Sequence, residues 1–371
     1  MTSRSFALLL LFSIFNTVSY GQENPVIIGY VMGSRIDSIN TPIAVNKLTH
    51  INYAFANIED GKIIDGHEND SLHLAWLNSL KKKNPDLKIL VSVGGWSWSG
   101  GFSDAALTQE SREIFANSAI ELIKRHHLDG IDLDWEYPGQ SGAGNTYRPE
   151  DKQNFTLTLK RIREKLDSLS AVTGHTPYLQ TIATAANKNY LAHVEGEKIA
   201  EYLDYINIMS YDYNGEWSAL TGHHTNLYPS PNDPAEYKQS TDTAVLEHLK
   251  AGIPPEKLVV GIAFYGRGWN NVTPKNNGLY QESNGGFSVP YKKIADTLDS
   301  GNFKVFRDLP AAAPYLWDPS GRVFVTYDDK ESVTAKANYI LKNGLGGAMF
   351  WEYHADNNEL LNTLYRELSG K

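Results

Sequence analysis

Residues 129–138 read DGIDLDWEYP and place Asp132, Asp134 and Glu136 two positions apart. Side chains alternate along a strand, so these three carboxyls share one face while Ile131, Leu133 and Trp135 share the other. Successive carboxyls on that face start about 6.5–7 Å apart at the backbone, close enough for their side chains to meet. Three ionised acids in a low-dielectric interior repel one another, so some must hold protons at neutral pH. A carboxylic acid kept protonated in this way can donate its proton to a leaving group. The competing reading is a metal-binding or salt-bridged acidic strand. It is the weaker one, because such sites usually add histidine or further oxygen ligands, and no nearby histidine has an obvious spacing.

A row of acids on a strand needs a scaffold that points it somewhere. Eight short apolar runs, rich in β-branched and aromatic residues, read as strands: 26–31, 50–58, 88–95, 130–136, 178–186, 205–212, 258–266 and 346–353. Amphipathic segments lie between them. Residues 108–127 space Phe115, Ala119, Leu122 and Ile123 as a helix does, and 149–169 open on Pro149 and bury Phe155, Leu159, Ile162 and Leu166. This alternation predicts an α/β fold, a parallel (β/α)8 TIM barrel, with the acids climbing inside toward the C-terminal rim where barrel enzymes react. A doubly wound open sheet is the rival, and no glycine-rich phosphate loop supports it. Residues 270–325 are rich in Gly, Asn, Tyr and Pro without a helical pattern. They read as a small α+β insertion between strands seven and eight that forms one wall of a cleft.

Composition narrows the class. The chain has 371 residues, a formal net charge of −9, 41% hydrophobic and 21% charged residues, and no cysteine. Disulfides and cysteine-ligated metals are excluded, and the acidic balance argues against nucleic acid or an anionic membrane as partner. Residues 1–21 carry Arg4, an apolar run from Phe6 to Phe15, and small residues at Ser19 and Gly21. That is the layout of a secretory signal peptide, too short to span a bilayer, and it predicts a secreted or periplasmic protein comprising residues 22–371. Two sequons, at Asn154 and Asn271, carry no weight without a host. The pair His223–His224 reads as exposed loop histidines rather than a metal site.

The stretch DGIDLDWE resembles the D-G-x-D-x-D-W-E signature of family 18 glycoside hydrolases, the chitinase family. Five further segments resemble that family's motifs in the same order: KILVSVGGW (88–96), NIMSYDYNG (207–215), YGRGW (265–269), YDD (327–329) and GGAMFWEYHAD (346–356). The resemblance implies a monomeric enzyme acting on chitin or chitooligosaccharides with no metal and no cofactor. It implies substrate-assisted retaining hydrolysis, in which the sugar's own N-acetyl oxygen attacks the anomeric carbon. Glu136 corresponds to the general acid, Asp134 to the group that orients the acetamide, Asp132 to its proton-sharing partner, and Tyr211 and Asp212 to residues contacting the acetamide and ring. Trp351 corresponds to the cleft floor. Trp96, Gly95, Tyr30, Phe55, Tyr137, Met209, Tyr265, Arg267 and Met349 match further substrate-binding positions, although Trp and Tyr are also common packing residues. Trp98, Trp135, Trp217, Trp269 and Trp317 receive no role, and Ser92 is expected to hydrogen-bond inside the barrel. A chitin-binding lectin on the same fold is the second reading, disfavoured because both Glu136 and Asp134 remain. An endo-β-N-acetylglucosaminidase is the third, disfavoured by the insertion.

Overall fold

The computed structural model describes residues 25–38, 42–174, 177–298 and 301–370. The leader-like residues 1–21 lie outside them. Eight parallel strands are β1 (Val26–Met32), β2 (His50–Glu59), β3 (Lys88–Gly94), β4 (Gly130–Asp134), β5 (Leu179–Ala185), β6 (Tyr205–Met209), β7 (Leu258–Ala263) and β8 (Gly347–Trp351). Each pairs with the next and β8 pairs with β1, which closes the sheet into a barrel and leaves it no free edge. The (β/α)8 expectation holds.

The helices that cover the barrel start and stop where local chemistry says they should. Thr108 caps the helix Gln109–His126 by accepting from the Ser111 N–H at 3.0 Å, while the Ser111 hydroxyl accepts from the Thr108 N–H. The helix predicted over 149–169 runs instead from Asp151 to Thr173 and stops at Gly174, whose φ of +64° a side chain would disfavour.

The two faces of β4 meet different surroundings. Ile131 and Leu133 are fully buried against the helices, and Trp135, just past the strand end, stacks on Phe102 at 5.2 Å and meets Phe155 edge-on at 5.4 Å. Removing a ring packed like this typically costs about 3–5 kcal/mol, so Trp135 belongs to the core and not to a binding surface. The opposite face looks into the barrel, among Tyr30, Ala54, Val259 and Met349.

Beyond β7 the chain builds a second sheet, antiparallel, in the order 286–290, 265–269, 323–326, 313–318, 304–308. It begins at Tyr265, so the predicted boundary at 270 falls inside it, and the helical part of this α+β insertion is Tyr291–Leu298, a position the sequence pattern did not mark. The turn back into the barrel is pinned by a buried ion pair. The Lys336 ammonium donates to Asp328 at 2.6 Å, and the same carboxylate oxygen accepts from Thr225 at 3.1 Å and from the Ala263 N–H at 3.3 Å. No helix among the described residues is long and apolar enough to cross a membrane.

Candidate active site

The acidic row sits where β4 ends, at Asp134, two residues earlier than the predicted 136. Pairing with β3 stops at Gly94 opposite Asp134, because Gly94 and Gly95 turn away with φ of +99° and +78°. A Cβ on Gly95 would stand 2.7 Å from the Phe55 ring, so the approach requires glycine. The Gly95 N–H then donates to the Asp134 carbonyl at 2.8 Å, and the Ser99 hydroxyl accepts from the Glu136 N–H at 2.9 Å. Glu136 is thereby held just past the strand, at the rim, by backbone contacts independent of its carboxyl.

The three acids have graded environments. Asp132, at the bottom, accepts from Ser92 at 2.7 Å, Tyr30 at 2.9 Å, Asn207 at 3.3 Å and the Thr181 hydroxyl. Burial pushes its pKa up and these four donors pull it back, leaving it above the ordinary value. Asp134 has no such support: one of its oxygens is buried without a hydrogen-bond partner. Burial first, and then the charges of Glu136 and Asp132, push it well above the carboxylate range. Of the two aspartates, Asp134 is therefore the one whose surroundings favour the protonated form more strongly. Glu136 is raised to about 7, mainly by burial, with a hydrogen bond from Tyr137 opposing and the charge of Asp212 adding to the rise.

Asp212 behaves in the opposite way. Burial would raise it, but His224 and Arg267 hold it below the usual range. The Arg267 guanidinium grips both carboxylate oxygens, Nε to Oδ1 at 2.9 Å and NH2 to Oδ2 at 2.7 Å. Strand β6, predicted to run to 212, stops at Met209, and Asp212 adopts a left-handed φ of +58° that turns its side chain into this fork. Tyr211, beside it, is buried close enough to Asp134, Asp212 and Glu136 for all three to raise its pKa, and its hydroxyl lies 3.7 Å from the Met349 sulfur.

Aromatic rings surround these groups. Trp351, at the end of β8, stacks on Phe55 at 5.6 Å and 24° and touches Tyr30 at 5.9 Å, and with Met209, Tyr211 and Met349 it lines the upper barrel interior. Trp96 is 55% exposed and meets Tyr137 at 6.4 Å, next to Glu136. Tyr265 packs edge-on against Tyr211 at 6.0 Å. The site residues singled out from the sequence thus gather inside the barrel and at its C-terminal rim, with Tyr265 and Arg267 reaching in from the second sheet. The sequence missed Trp217: it stands 57% exposed with its ring 4.8 Å from the Arg267 guanidinium, on the side of the site that carries Asp212. Its loop carries no periodicity from which this could be read. Trp269 and Trp317 are buried in the insertion.

One expectation is overturned. His223 and His224 are not exposed; they are 2% and 0% accessible, covered by the insertion sheet. Among the described residues no cluster of three His, Cys, Asp or Glu side chains is placed to hold a metal ion.

The family model for glycosyl hydrolases of family 18 matches residues 26–356, which span every barrel strand and the whole acidic row. The chain belongs to glycoside hydrolase family 18. Among family relatives, Chitinase A1 of Niallia circulans is 46% identical over 300 residues, 77% of this chain but 43% of that protein, so the chain spans less than half its length. Chitotriosidase-1 of Mus musculus is 34% identical, covering 84% of this chain and 68% of that protein. Among solved family 18 structures, an N-acetylglucosaminidase from Paenibacillus barengoltzii superposes with a TM-score of 0.87 at 42% identity, covering 93% of this chain and all of that one. A Group IV chitinase from Ostrinia furnacalis, solved with allosamidin, superposes with a TM-score of 0.84 at 30% identity, covering 94% of this chain and 99% of that one.

Proposed function

We propose that this chain is a chitinase that hydrolyses β-1,4 bonds between N-acetylglucosamine units, retaining anomeric configuration through substrate-assisted catalysis. One observation carries the reading: the row of three buried carboxyls in which Asp132 is held by four donors, Asp134 has a buried oxygen without a partner and favours its protonated form, and Glu136 at the rim is raised to about 7. Glu136 gives its proton to the glycosidic oxygen as the bond to the anomeric carbon breaks. The acetamide carbonyl oxygen of the same sugar forms the new bond to that carbon from the opposite face, giving an oxazolinium ion. Asp134, sharing its proton with Asp132, turns to accept from the acetamide N–H and to balance the positive charge. Water then adds to the anomeric carbon, giving its proton to Glu136, and the ring opens.

In the alternative, in which a second carboxylate acts as nucleophile, Asp212 is the candidate, because it is the site carboxyl held below the usual range while Asp132 and Asp134 are raised. Both of its oxygens are engaged by Arg267, which suits a group that positions the sugar rather than one that attacks it. Holding the acetamide in line is worth roughly 7–11 kcal/mol of the barrier in well-oriented intramolecular reactions. Trp351, stacked on Phe55, offers a flat apolar face for the sugar above it, with Trp96 a further face at the rim. Export from the cell is proposed on the leader-like residues 1–21, and sequencing the N-terminus of the protein recovered outside the cell tests it.

The deciding experiment is early product analysis on the N-acetylglucosamine hexamer by NMR. New reducing ends should appear first as the β-anomer, and an oligomer of glucose should be cut poorly. First-formed α-anomer would rule the mechanism out.

The acid must be protonated in the free enzyme, so kcat/KM is expected to fall as pH rises through about 7, by about tenfold per unit thereafter. A pH–rate profile on the hexamer whose alkaline limb begins near 5 would contradict the raised pKa of Glu136.

A further inference from the structure

The buried pair His223–His224 plays no part in the chemistry above, yet it lies between the two parts of the molecule. His223 turns toward the insertion. Its Nε2 is 3.1 Å from Asp308, which also accepts from Ser230 at 2.6 Å, and its ring meets Tyr280 and Tyr315, each at 6.0 Å. His224 turns toward the active site. Its ring lies 5.2 Å from Tyr265, and its Nδ1 is 3.6 Å from Oδ1 of Asp212. The segment also runs beside residues 210–214 and is bonded to them repeatedly. The Tyr213 N–H donates to the His224 carbonyl at 3.2 Å, Asn214 to the His223 carbonyl at 2.8 Å, and the Thr225 hydroxyl lies 3.2 Å from the Ser210 carbonyl.

Two features of this arrangement need a cause. Asp212 is a non-glycine residue with φ +58°, a conformation that costs on the order of 1–3 kcal/mol and persists only where its surroundings hold it. His224 is wholly buried, yet neither ring nitrogen has a hydrogen-bond partner among the described residues. A buried polar group left unpaired costs about 1–3 kcal/mol. Phenylalanine would fill the same space without that cost. What histidine adds is a nitrogen aimed at Asp212.

We propose that His224 is a positioning residue acting through Asp212: it donates from Nδ1 to the carboxylate when Asp212 takes up the sugar, and His223 anchors it to the insertion. The 3.6 Å separation is an electrostatic contact that a shift of under 1 Å converts into a hydrogen bond, in the tautomer carrying hydrogen on Nδ1. Arg267 grips Asp212 from the more open side with a long side chain, and His224 backs it from the closed side with a short rigid one. The insertion is thereby more than a wall: through Asp308, His223 and His224 it bears on a group at the reacting sugar. The proposal rests on the reading of Asp212 as a substrate-holding residue.

A double-mutant cycle on the full chain, with the N-acetylglucosamine hexamer as substrate, tests it. His224→Phe keeps the ring and removes the nitrogens. It is expected to lower kcat about ten- to a hundredfold, the scale of a small misplacement in an active site, with KM within about twofold of wild type. His224→Asn, whose amide can stand near the place of Nδ1, is expected to restore most of kcat. In an Asp212→Asn background His224→Phe should cost less than about twofold, because the partner it acts through is gone. Wild-type kcat for His224→Phe, or an undiminished loss in the Asp212→Asn background, overturns the proposal. Should His224→Phe fail to fold, His224→Gln measured alone and with Asp212→Asn makes the same decision. Wild-type turnover by Asp212→Asn alone would instead remove Asp212 from the reaction, and the proposal with it.

Discussion

Glu136→Gln is expected to reduce turnover of the N-acetylglucosamine hexamer by about 10²- to 10⁴-fold, the usual contribution of a positioned general acid. Its effect on binding should be small. The Glu136 carboxyl, with a pKa raised to about 7, spends much of its time neutral at the pH of assay, and glutamine matches a neutral carboxyl in charge and volume. The backbone that places residue 136 does not depend on its carboxyl, since the Glu136 N–H is held by Ser99. The variant should therefore bind the hexamer within a few-fold of wild type in calorimetry while failing to cut it. Near wild-type turnover would take the acid's role away from Glu136. Binding of the hexamer without turnover by the wild type itself would instead return the lectin reading, which differs from the enzyme in whether this proton is used.

Asp134→Asn is expected to lower kcat by about 10²- to 10³-fold while raising stability at neutral pH. The first effect follows from electrostatics. A neutral amide cannot become the anion that balances an oxazolinium ion, and losing one such preorganised stabiliser costs on this scale. The second follows from proton linkage. Asp134 holds its proton in the folded state well above the pH at which an unfolded aspartate releases it. The folded state thus binds more protons than the unfolded state, so stability falls as pH rises above about 4. Asparagine removes that penalty. Thermal unfolding should show the variant melting above wild type at pH 7 and level with it near pH 3, where both states are protonated. A variant less stable than wild type at pH 7 would mean that Asp134 is ionised and supported in the free enzyme. The pairing of lost activity with gained stability is what a site built at the expense of the fold predicts.

The two effects have one origin. Asp132 and Asp134 face the same interior and sit two residues apart, yet only Asp132 receives Ser92, Tyr30, Thr181 and Asn207. These donors come from β3, β1, β5 and β6, so the difference between two adjacent acids is made by four other strands. Glu136, beyond the end of β4, receives Tyr137 from its own loop and feels Asp212 from the loop after β6.

Much of this was legible in the chain alone because the relevant information was local. The alternation of Ile131, Leu133 and Trp135 with Asp132, Asp134 and Glu136 is a property of ten consecutive residues, and a strand has only two faces. Eight apolar runs of strand length separated by helical ones leave few architectures, and a parallel barrel was the one expected. Strand ends were less legible. Residues 130–136, 205–212 and 258–266 each read as one run, yet β4 stops at Asp134, β6 at Met209 and β7 at Ala263. A strand lasts only as long as its neighbour pairs with it, and both the turn at Gly94–Gly95 that ends β4 and the strand 286–290 that draws Tyr265 into the second sheet lie outside the runs they interrupt.

The sequence by itself determined which residues could react, because carboxyl spacing on one strand is set by backbone geometry. Only the tertiary structure decided which of them holds the proton, since that depends on burial and on donors that arrive from other strands. It also decided the fate of the histidine pair. Nothing in TGHHTN tells whether a loop is covered, and here a sheet assembled from residues up to a hundred positions later buries both rings, one beside Asp308 and the other beside Asp212.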